Sequence, residues 1–371
     1  MLGSGEIGRQ TAPNLHYTES SEGNAIFMGR VVEALHKAVE GSDLSESEAA
    51  GALEEILSGE SEPALVAGLL TALRAKGETV DEIVGFARAM RAAAAPIPCS
   101  TAAESMVDTC GTGGDGADTF NISTAAVFVV AGVGVPVAKH GNRSISSRCG
   151  SADVLEALGA VVQLTPEQAG RAIDETGVGF LFAPLIHPAM KHVQPVRRAL
   201  KMRTVFNLLG PLTNPAGAGA QLVGVFADDR VEDVARALAR LGVSRAMVVH
   251  GADGLDEITV RAETQVAEVE GGEVRTRKLR PEDFGVEQAP ADSLAGGDAE
   301  QNAAILRRIL DGARGPERDV VLANAAAALM LAGKATSLSE GAAAAAKAID
   351  SGSARAKLET FVAFTDQFRS E

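Results

Sequence analysis

The sequence predicts an α/β protein in which a small all-α helical domain precedes a larger, doubly wound, mostly parallel α/β domain. Three observations indicate this fold. Residues 24–95 carry helix signals alone, strand-like runs alternate with helices beyond residue 98, and two glycine-containing loops each follow a strand candidate. Such alternation is typical of parallel sheets covered by helices. The chain of 371 residues is long enough for about two domains.

Three segments divide the chain. Residues 1–23 are polar and poorly patterned, which predicts a disordered extension. We expect the helical domain at 24–97, with a helical segment near 188–206 returning to it, and the α/β domain at 98–371. The Pro-interrupted run just before residue 98 favours a link between the two domains.

The helical domain is expected to contain about four short helices. Ser45–Glu48 and Thr79–Glu82 have the spacing of capping boxes. Ser61 with Pro63 is a plausible helix start, and Gly77 is a plausible helix end.

The α/β domain is predicted to begin with a strand at 106–109, followed by a helix at 124–131. Further strands are expected at 135–139, 161–164, 179–182, 221–226, 245–250 and 266–269, and further helices at 152–158, 166–176 and 231–241 and after Asp298. The Ala-rich runs at 323–332 and 340–347 are interpreted as packed helices.

A glycine loop occupies residues 108–124, which read DTCGTGGDGADTFNIST. Its glycines let backbone N–H groups approach an anion closely. The run 121–124 is expected to open a helix with amide and hydroxyl caps. A helix N-terminus reached through such a loop is a phosphate site, although the loop matches neither Walker A nor GxGxxG.

A second loop, KHGNRSISSRCGS at 139–151, adds cations that suit phosphate oxygens. Together the two loops predict a substrate with several phosphates. His140 fits a ligand contact and a hydrogen-bonded histidine at a strand end about equally well.

Adjacent carboxylates stand at Asp256 and Glu257, in the turn GADGLDEIT that follows a strand candidate. Carboxylate oxygens suit Mg²⁺, which binds through one or two carboxylates plus substrate phosphates. An acidic loop tip is an equally good interpretation of this motif alone. For Asp228 and Asp229, capping of the next helix is favoured over binding of a Mg-pyrophosphate.

Arginines are dense in HPAMKHVQPVRRALKMRT at 187–204. The planar fork of Arg197, Arg198 or Arg203 suits a carboxylate, and a surface ion pair is the alternative for each of them. A surface ion pair is the favoured interpretation of Arg198.

Composition excludes several classes of protein. A net charge of −15 argues against general affinity for nucleic acid or anionic membranes. Three cysteines lack metal-ligand spacing and indicate a reducing compartment, the cytoplasm. We find no signal peptide and no apolar run long enough to span a bilayer.

Four motifs in this order closely resemble the anthranilate phosphoribosyltransferase family: GTGGD…NIST, KHGNRSISS-x-CGSADVLEALG, HPAMKHVQPVRRAL-x-x-RTVFNLLGPLTNP and GADGLDEIT. The resemblance covers about residues 25–365. It implies the nucleoside phosphorylase/phosphoribosyltransferase fold class, a homodimer formed through the helical domain, and a reaction of tryptophan biosynthesis. In that reaction phosphoribosyl passes from 5-phosphoribosyl 1-diphosphate (PRPP) to the amine of anthranilate, pyrophosphate leaves, and Mg²⁺ is required.

The resemblance also implies roles for individual residues. Ser123, Asp256 and Glu257 would hold two magnesium ions, directly or through water, and Gly111, Asn142 and Arg197 would contact anthranilate. Apart from the resemblance, Lys139 and His140 are candidate catalytic residues, His140 as acceptor of the amine proton. The residues expected to contact PRPP are Gly111, Gly114, Asp115, Thr119, Asn121, Ile122, Ser123, Thr124, Lys139, Asn142, Arg143 and Ser151.

Two other functions remain open at this point. A pyrimidine nucleoside phosphorylase would share the fold and a glycine loop, but would need a nucleobase site and phosphate. A nucleic-acid-binding relative without activity would be expected to carry basic surface and a degraded carboxylate pair, unlike this chain.

Overall fold

The computed structural model describes residues 29–144 and 148–369, so the predicted extension at 1–23 lies outside the described residues. The first elements are four helices: α1 (Arg30–Val39), α2 (Glu46–Ser58), α3 (Pro63–Lys76) and α4 (Val80–Ala92). The capping boxes predicted at Ser45 and Thr79 are both present. Gly77 ends α3 as expected, whereas the N-cap position of α3 is Glu62, with no side-chain cap.

Strands and helices alternate through the rest of the chain. The strands are β1 (Val107–Thr109), β2 (Val137–Gly141), β3 (Val178–Phe182), β4 (Ala220–Gly224), β5 (Arg245–Gly251), β6 (Thr264–Glu270) and β7 (Glu273–Leu279). The helices are α5 (Ile122–Gly132), α6 (Ser151–Ala157), α7 (Pro166–Thr176), α8 (Ala183–Ile186), α9 (Gln194–Leu200), α10 (Phe206–Leu212), α11 (Val231–Arg240), α12 (Ala299–Leu310), α13 (Pro316–Leu331), α14 (Leu338–Asp350) and α15 (Ser353–Asp366).

The strands form one sheet in the order β3-β2-β1-β4-β5-β6-β7. Strands β1 to β5 are parallel, and β6 and β7 are antiparallel additions at one edge. The strand order reverses at β1, which lies between β2 and β4. In open α/β sheets, ligands bind beyond the carboxyl ends of the strands at such a switch point. The predicted fold class is confirmed, and both predicted loops leave carboxyl ends near this point.

Two strand predictions differ from the structure. Residues 161–164 form no strand. Val162 and Leu164 are buried in the core of the α/β layer, and the Val161 N–H donates to Thr365 Oγ1 on α15. The alternation of apolar residues that resembled a strand therefore comes from an extended segment that packs beside a helix. The edge strand β7 was not predicted, because its side chains are mostly charged and exposed.

Capping of α11 by Asp228 or Asp229 was also a wrong prediction. These residues form a short 3₁₀ turn, Asp228 Oδ1 accepts from the Asp229 N–H, and α11 begins without a side-chain cap. Glu232 and Asp233 supply negative charge to its first turn instead.

Two apolar cores lie on opposite faces of the sheet. One packs α5, α13 and α15 against it. The second contains side chains of α2, α4 and α11 and those side chains of β4 and β5 that lie on the opposite face of the sheet from the first core. Buried Arg230, just before α11, donates to the carboxylate of Glu78, just before α4, at 2.9 Å. This ion pair links the helical layer to the α/β layer. The division of the chain at residues 97 and 98 stays a prediction. No helix in the described part is long and apolar enough to cross a membrane.

Candidate active site

The glycine loop connects β1 to α5 at the switch point. Gly113, Gly114 and Gly116 have positive φ angles of 66°, 77° and 74°, which side chains disfavour. At Gly111 a Cβ atom would lie 2.7 Å from Asp256 Oδ2. The loop therefore needs glycine both for its backbone conformation and for close approach to the carboxylate turn.

The predicted carboxylate pair lies directly against this loop. Asp256 Oδ2 accepts from the Gly113 N–H at 2.7 Å, and Glu257 Oε1 accepts from the Ser123 N–H at 3.2 Å in the first turn of α5. Asp115 Oδ2 lies 3.4 Å from the Asp256 N–H. The N–H groups predicted to bind phosphate therefore face carboxylates, which shows that they are directed toward negative charge.

Burial and mutual repulsion perturb these carboxyl groups. Burial raises the pKa of Asp256 well above its ordinary value, and the charges of Asp115 and Glu257 raise it further. Burial likewise raises the pKa of Glu257 to about 7, although Lys139 and the Ser123 N–H oppose the shift. Concentrated negative charge of this kind is relieved by a cation.

The oxygen donors fit Mg²⁺. Three carboxylates and the Ser123 hydroxyl are hard ligands of the kind that this ion prefers. The described residues do not form a ready-made group of three or more metal-holding acidic, His or Cys side chains. Mg²⁺ would therefore take its remaining ligands from water and a bound phosphate, as it usually does.

Lys139, in β2, contacts both ends of the glycine loop. Its side chain is buried, and Nζ donates to the Thr109 carbonyl at 2.6 Å and to Ser123 Oγ at 3.2 Å. Beside it, fully buried Asp108 accepts from Asn214 Nδ2 at 2.8 Å, and burial raises its pKa to about 6. The Lys139 ammonium is thereby held next to Ser123, one of the predicted metal ligands.

A pair of buried histidines lies at the end of β2. The rings of His140 and His187 are 5.1 Å apart. His140 Nδ1 lies 2.9 Å from the Gly210 carbonyl, which requires the proton on Nδ1 and leaves the Nε2 lone pair free. Burial lowers the pKa of His140 to about 4 and that of His187 to about 3, so both imidazoles are neutral near pH 7.

Arg197 reaches the same region from α9. Its guanidinium lies 5.5 Å from the centre of the Phe206 ring, and burial lowers its pKa. Phe206 and Gly210 are four residues apart in α10 and so share a face of that helix. Arg197 and His140 therefore both contact α10, through Phe206 and Gly210. Arg197 forms no salt bridge with any described residue.

Arg198 contrasts with Arg197. It is exposed and pairs with no acidic residue in the ranges 29–144 and 148–369, so the favoured ion pair is not found. Arg203 does take part in the site, because it donates to the Gly114 carbonyl and lies 4.3 Å from the Phe226 ring centre.

The second loop is only partly described. Ser151 Oγ accepts from the Asn142 N–H at 3.2 Å. Arg143 forms salt bridges with Asp153 and Glu156 at 3.0 and 2.6 Å, so its guanidinium already has acidic partners. Residues 145–147 lie outside the described part.

The start of α5 differs from the expected cap. Asn121 is the N-cap residue, but its side chain makes no capping hydrogen bond. Instead Asn121 Oδ1 accepts from Asn302 Nδ2 at 2.9 Å. Ile122 and Thr124 are buried, so any contact of theirs with a phosphate would come from backbone N–H groups. Thr119 pairs with Ala295 in an isolated bridge.

Several residues at the site received no role from the sequence. His187 and Arg203 lie within the arginine-rich segment 187–204, and the clustering of basic residues there is the only feature of the sequence that points to them. Asp108 was visible as an acidic residue in a strand that is otherwise apolar. Asn302, which bonds to Asn121, and Asn324, which bonds to the backbone of Ile258 after the carboxylate pair, stand in helices, where nothing local marks them as functional.

Models of known families match both layers of the protein. Residues 103–355 match the α/β domain of a glycosyl transferase family, and residues 32–94 match the helical bundle domain of the same family. The fold and the site thus define a glycosyl transferase of two-domain type.

Individual relatives are more specific. The chain is 59% identical over 331 residues to the anthranilate phosphoribosyltransferase of Rubrobacter xylanophilus, covering 89% of this chain and 96% of that one. The structure of the Thermus thermophilus anthranilate phosphoribosyltransferase is 49% identical, with a TM-score of 0.85 and coverage of 90% and 99%. The Saccharomyces cerevisiae enzyme in complex with PRPP and Mg is 28% identical, with a TM-score of 0.83 and coverage of 91% and 98%. The chain belongs to the anthranilate phosphoribosyltransferase family.

Proposed function

We propose that the chain transfers the phosphoribosyl group of PRPP to the amine of anthranilate and releases pyrophosphate, a step of tryptophan biosynthesis. The observation that carries this assignment is the juxtaposition of two unlike surfaces. A carboxylate pair faces a glycine loop and a helix N-terminus, while two neutral histidines lie at the end of the neighbouring strand. Arg197, which forms no salt bridge with any described residue, contacts the same helix α10 as His140. The first surface suits a diphosphate, and the second suits an aromatic amine that carries a carboxylate.

On the diphosphate side, bond breaking leaves negative charge on pyrophosphate. When bound to Asp256, Glu257 and Ser123, magnesium would neutralise part of that charge. We propose two ions, because adjacent carboxylates can serve two centres; the complex of the yeast relative with Mg supports the metal but not the number. The N–H groups of Gly113 and Ser123 and the ammonium of Lys139 supply preorganised positive charge.

Burial makes these interactions stronger than they would be in water. A pair of unit charges at 4 Å interacts by roughly 4 kcal/mol at an effective dielectric constant of 20, against about 1 kcal/mol in water. The remaining residues predicted to contact PRPP, including Gly114, Asp115, Asn142, Arg143 and Ser151, are proposed on the motif resemblance. Exclusion of water also limits hydrolysis of PRPP.

On the acceptor side, Arg197 would bind the anthranilate carboxylate with its planar fork. The amine nitrogen attacks C1 of the ribose as the C1–oxygen bond to pyrophosphate breaks. His140 Nε2 would take the amine proton. A pKa of about 4 makes His140 a weak base, so it accepts the proton only once the C–N bond has made the nitrogen cationic. Positioning and charge stabilisation therefore supply most of the catalysis.

The test is a fluorescence assay. Purified protein is mixed with anthranilate, PRPP and Mg²⁺, and loss of anthranilate fluorescence is followed, with controls that lack PRPP or contain EDTA. We expect loss that requires both PRPP and Mg²⁺. No loss from protein shown to be folded would contradict the assignment, and phosphorolysis of pyrimidine nucleosides would then be assayed.

We further propose a homodimer in the cytoplasm. Val39, at the end of α1, is 69% exposed and is the most exposed large apolar residue in the described part of the chain. The free state of Cys99, Cys110 and Cys149 is compatible with a reducing compartment. Analytical ultracentrifugation of the wild type and of Val39→Asp tests the assembly; a monomeric wild type would contradict it.

A further inference from the structure

A buried asparagine of α12 contacts the phosphate-binding region from behind. Asn302 is 1% exposed. Its Oδ1 accepts from the Gly297 N–H at 2.7 Å, and its Nδ2 donates to Asn121 Oδ1 at 2.9 Å. One side chain thus connects the start of α12 to the end of the glycine loop.

The segment before α12 is itself attached to the glycine loop. The Gly296 N–H donates to the Asp118 carbonyl at 2.8 Å, and the Phe120 N–H donates to the Leu294 carbonyl at 3.3 Å. A Cβ atom on Gly296 would lie 2.5 Å from Phe120 N, so the two backbones are in direct contact. Residues 294–297, which we call the strap, therefore hold the loop and Asn302 in a common frame.

The hydrogen bonds of Asn121 determine which way its amide faces. Oδ1 receives two donors, Asn302 Nδ2 and the Cys149 thiol at 3.3 Å, while Nδ2 donates to the Cys149 carbonyl at 3.2 Å. An amide carries two N–H bonds and one carbonyl oxygen. Both acceptor positions are therefore used by the protein, and one N–H has no partner among the described residues.

We infer that Asn302 is a positioning residue for PRPP, acting through Asn121. This rests on the proposed function, in which Asn121 contacts PRPP. By donating to Asn121 Oδ1, Asn302 keeps the oxygen turned inward and leaves an N–H as the group available to phosphate or ribose oxygens. If Asn121 were flipped, an oxygen would stand in that place and repel them. Because Cys149 belongs to the second loop, the same network ties both phosphate loops to α12.

The decisive variant is Asn302→Asp. Its carboxylate still accepts from the Gly297 N–H, but it cannot donate to Asn121, so it favours the flipped amide. Isothermal titration of PRPP with Mg²⁺ should show a dissociation constant raised roughly tenfold to a hundredfold, the range for one hydrogen bond to a charged group. In steady-state assays the KM for PRPP should rise, while the KM for anthranilate stays within about twofold.

Two further variants separate positioning from loss of stability. Ile309→Val truncates a buried side chain about two turns further along α12, and it should lower Tm while leaving PRPP affinity unchanged. In the double variant Asn302→Asp with Asn121→Ala, the loss should equal that of Asn121→Ala alone, because the two residues act in series.

Unchanged PRPP affinity in Asn302→Asp would overturn the inference, as would additive losses in the double variant. Equal loss in Ile309→Val, or a parallel rise in both KM values, would assign Asn302 a structural role only and would also overturn it. Failure of the wild-type protein to bind PRPP at all would instead overturn the proposed function, and the inference with it.

Discussion

The two surfaces of the proposed site, called here the carboxylate side and the histidine side, satisfy their polar groups in opposite ways. On the carboxylate side, formed by Asp115, Asp256 and Glu257, two carboxylates accept N–H donors at 2.7 and 3.2 Å. On the histidine side, formed by His140, His187 and Arg197, three buried ring nitrogens have no partner among the described residues. Unsatisfied buried polar atoms cost stability. On the carboxylate side a charged ligand would displace hydrogen bonds that already exist. On the histidine side an aromatic amine would form hydrogen bonds that the buried ring nitrogens lack.

The largest expected effect comes from removing the charge of the carboxylate side. Asp256→Asn combined with Glu257→Gln should lower kcat by about a thousandfold, because magnesium loses its ligands and the departing pyrophosphate is less stabilised. The rate is measured over a range of Mg²⁺ concentrations. Glu273→Gln, which removes one exposed carboxylate in β7, serves as a control for loss of a carboxylate outside the site. Near-normal turnover of the double variant at low Mg²⁺ would refute the metal role.

A smaller effect is expected on the histidine side. Arg197→Ala should raise the KM for anthranilate roughly tenfold to a hundredfold, the value of a hydrogen-bonded charge pair, with little change in the KM for PRPP. Arg198→Ala is the matched control, since it removes the same charge from the adjacent, exposed position. An unchanged anthranilate KM in Arg197→Ala would remove this residue from the site.

Asn324 offers a way to weaken the carboxylate side without touching a carboxylate. This buried residue of α13 accepts from the Ile258 N–H at 3.1 Å and donates to the Ile258 carbonyl at 2.9 Å, and so holds the residue after Glu257. Asn324→Ala should raise the Mg²⁺ concentration for half-maximal rate by about tenfold, a usual cost of losing a supporting contact. Val321→Ala controls for loss of packing in α13. An equal Mg²⁺ requirement in both variants would show that Asn324 only stabilises the fold.

The smallest effect concerns stability against pH on the histidine side. Burial and the neighbouring His140 lower the pKa of His187 to about 3 in the folded protein, against about 6.5 in an unfolded chain. Between these values the unfolded state binds more protons, so stability is present at neutral pH and is lost as pH falls below about 6.5.

His187→Gln should therefore lose less stability than the wild type between pH 7.5 and pH 5, by a few degrees in Tm. Thermal unfolding at several pH values measures this difference. His36→Gln, at an exposed position on α1, should follow the wild type. Parallel curves for wild type and His187→Gln would show that His187 does not titrate as its burial implies.

Local patterns predicted the parts of this structure that local interactions determine. The capping boxes at Ser45 and Thr79 depend on residues three apart, and the glycine loop with the helix that follows it is contiguous. The strand at 161–164 was wrong because alternating burial arises wherever an extended segment packs beside a helix. β7 was not predicted because its residues are mostly charged, although Gly271–Gly272 between two extended runs is typical of a β-hairpin turn.

Side-chain roles at the site were less predictable, because they depend on residues distant in sequence. Asn121 was expected to cap α5 but bonds to Asn302, 181 positions away. The assignments of Gly111, Asp256 and Arg197 come from motifs, and their ligand contacts stay predictions. The neutral state of His140 and His187 follows from burial, which a motif does not reveal.

The apolar core formed by α2, α4, α11 and one face of the sheet joins the helical layer to the α/β layer, so the two layers should not be stable apart. A chain divided near residue 97 would expose leucines and valines of that core on both fragments, and each fragment alone would be prone to aggregate. Soluble material should come from producing both pieces together. The intact chain should melt in one cooperative transition, with no stage at which the helical layer is lost and the sheet remains folded.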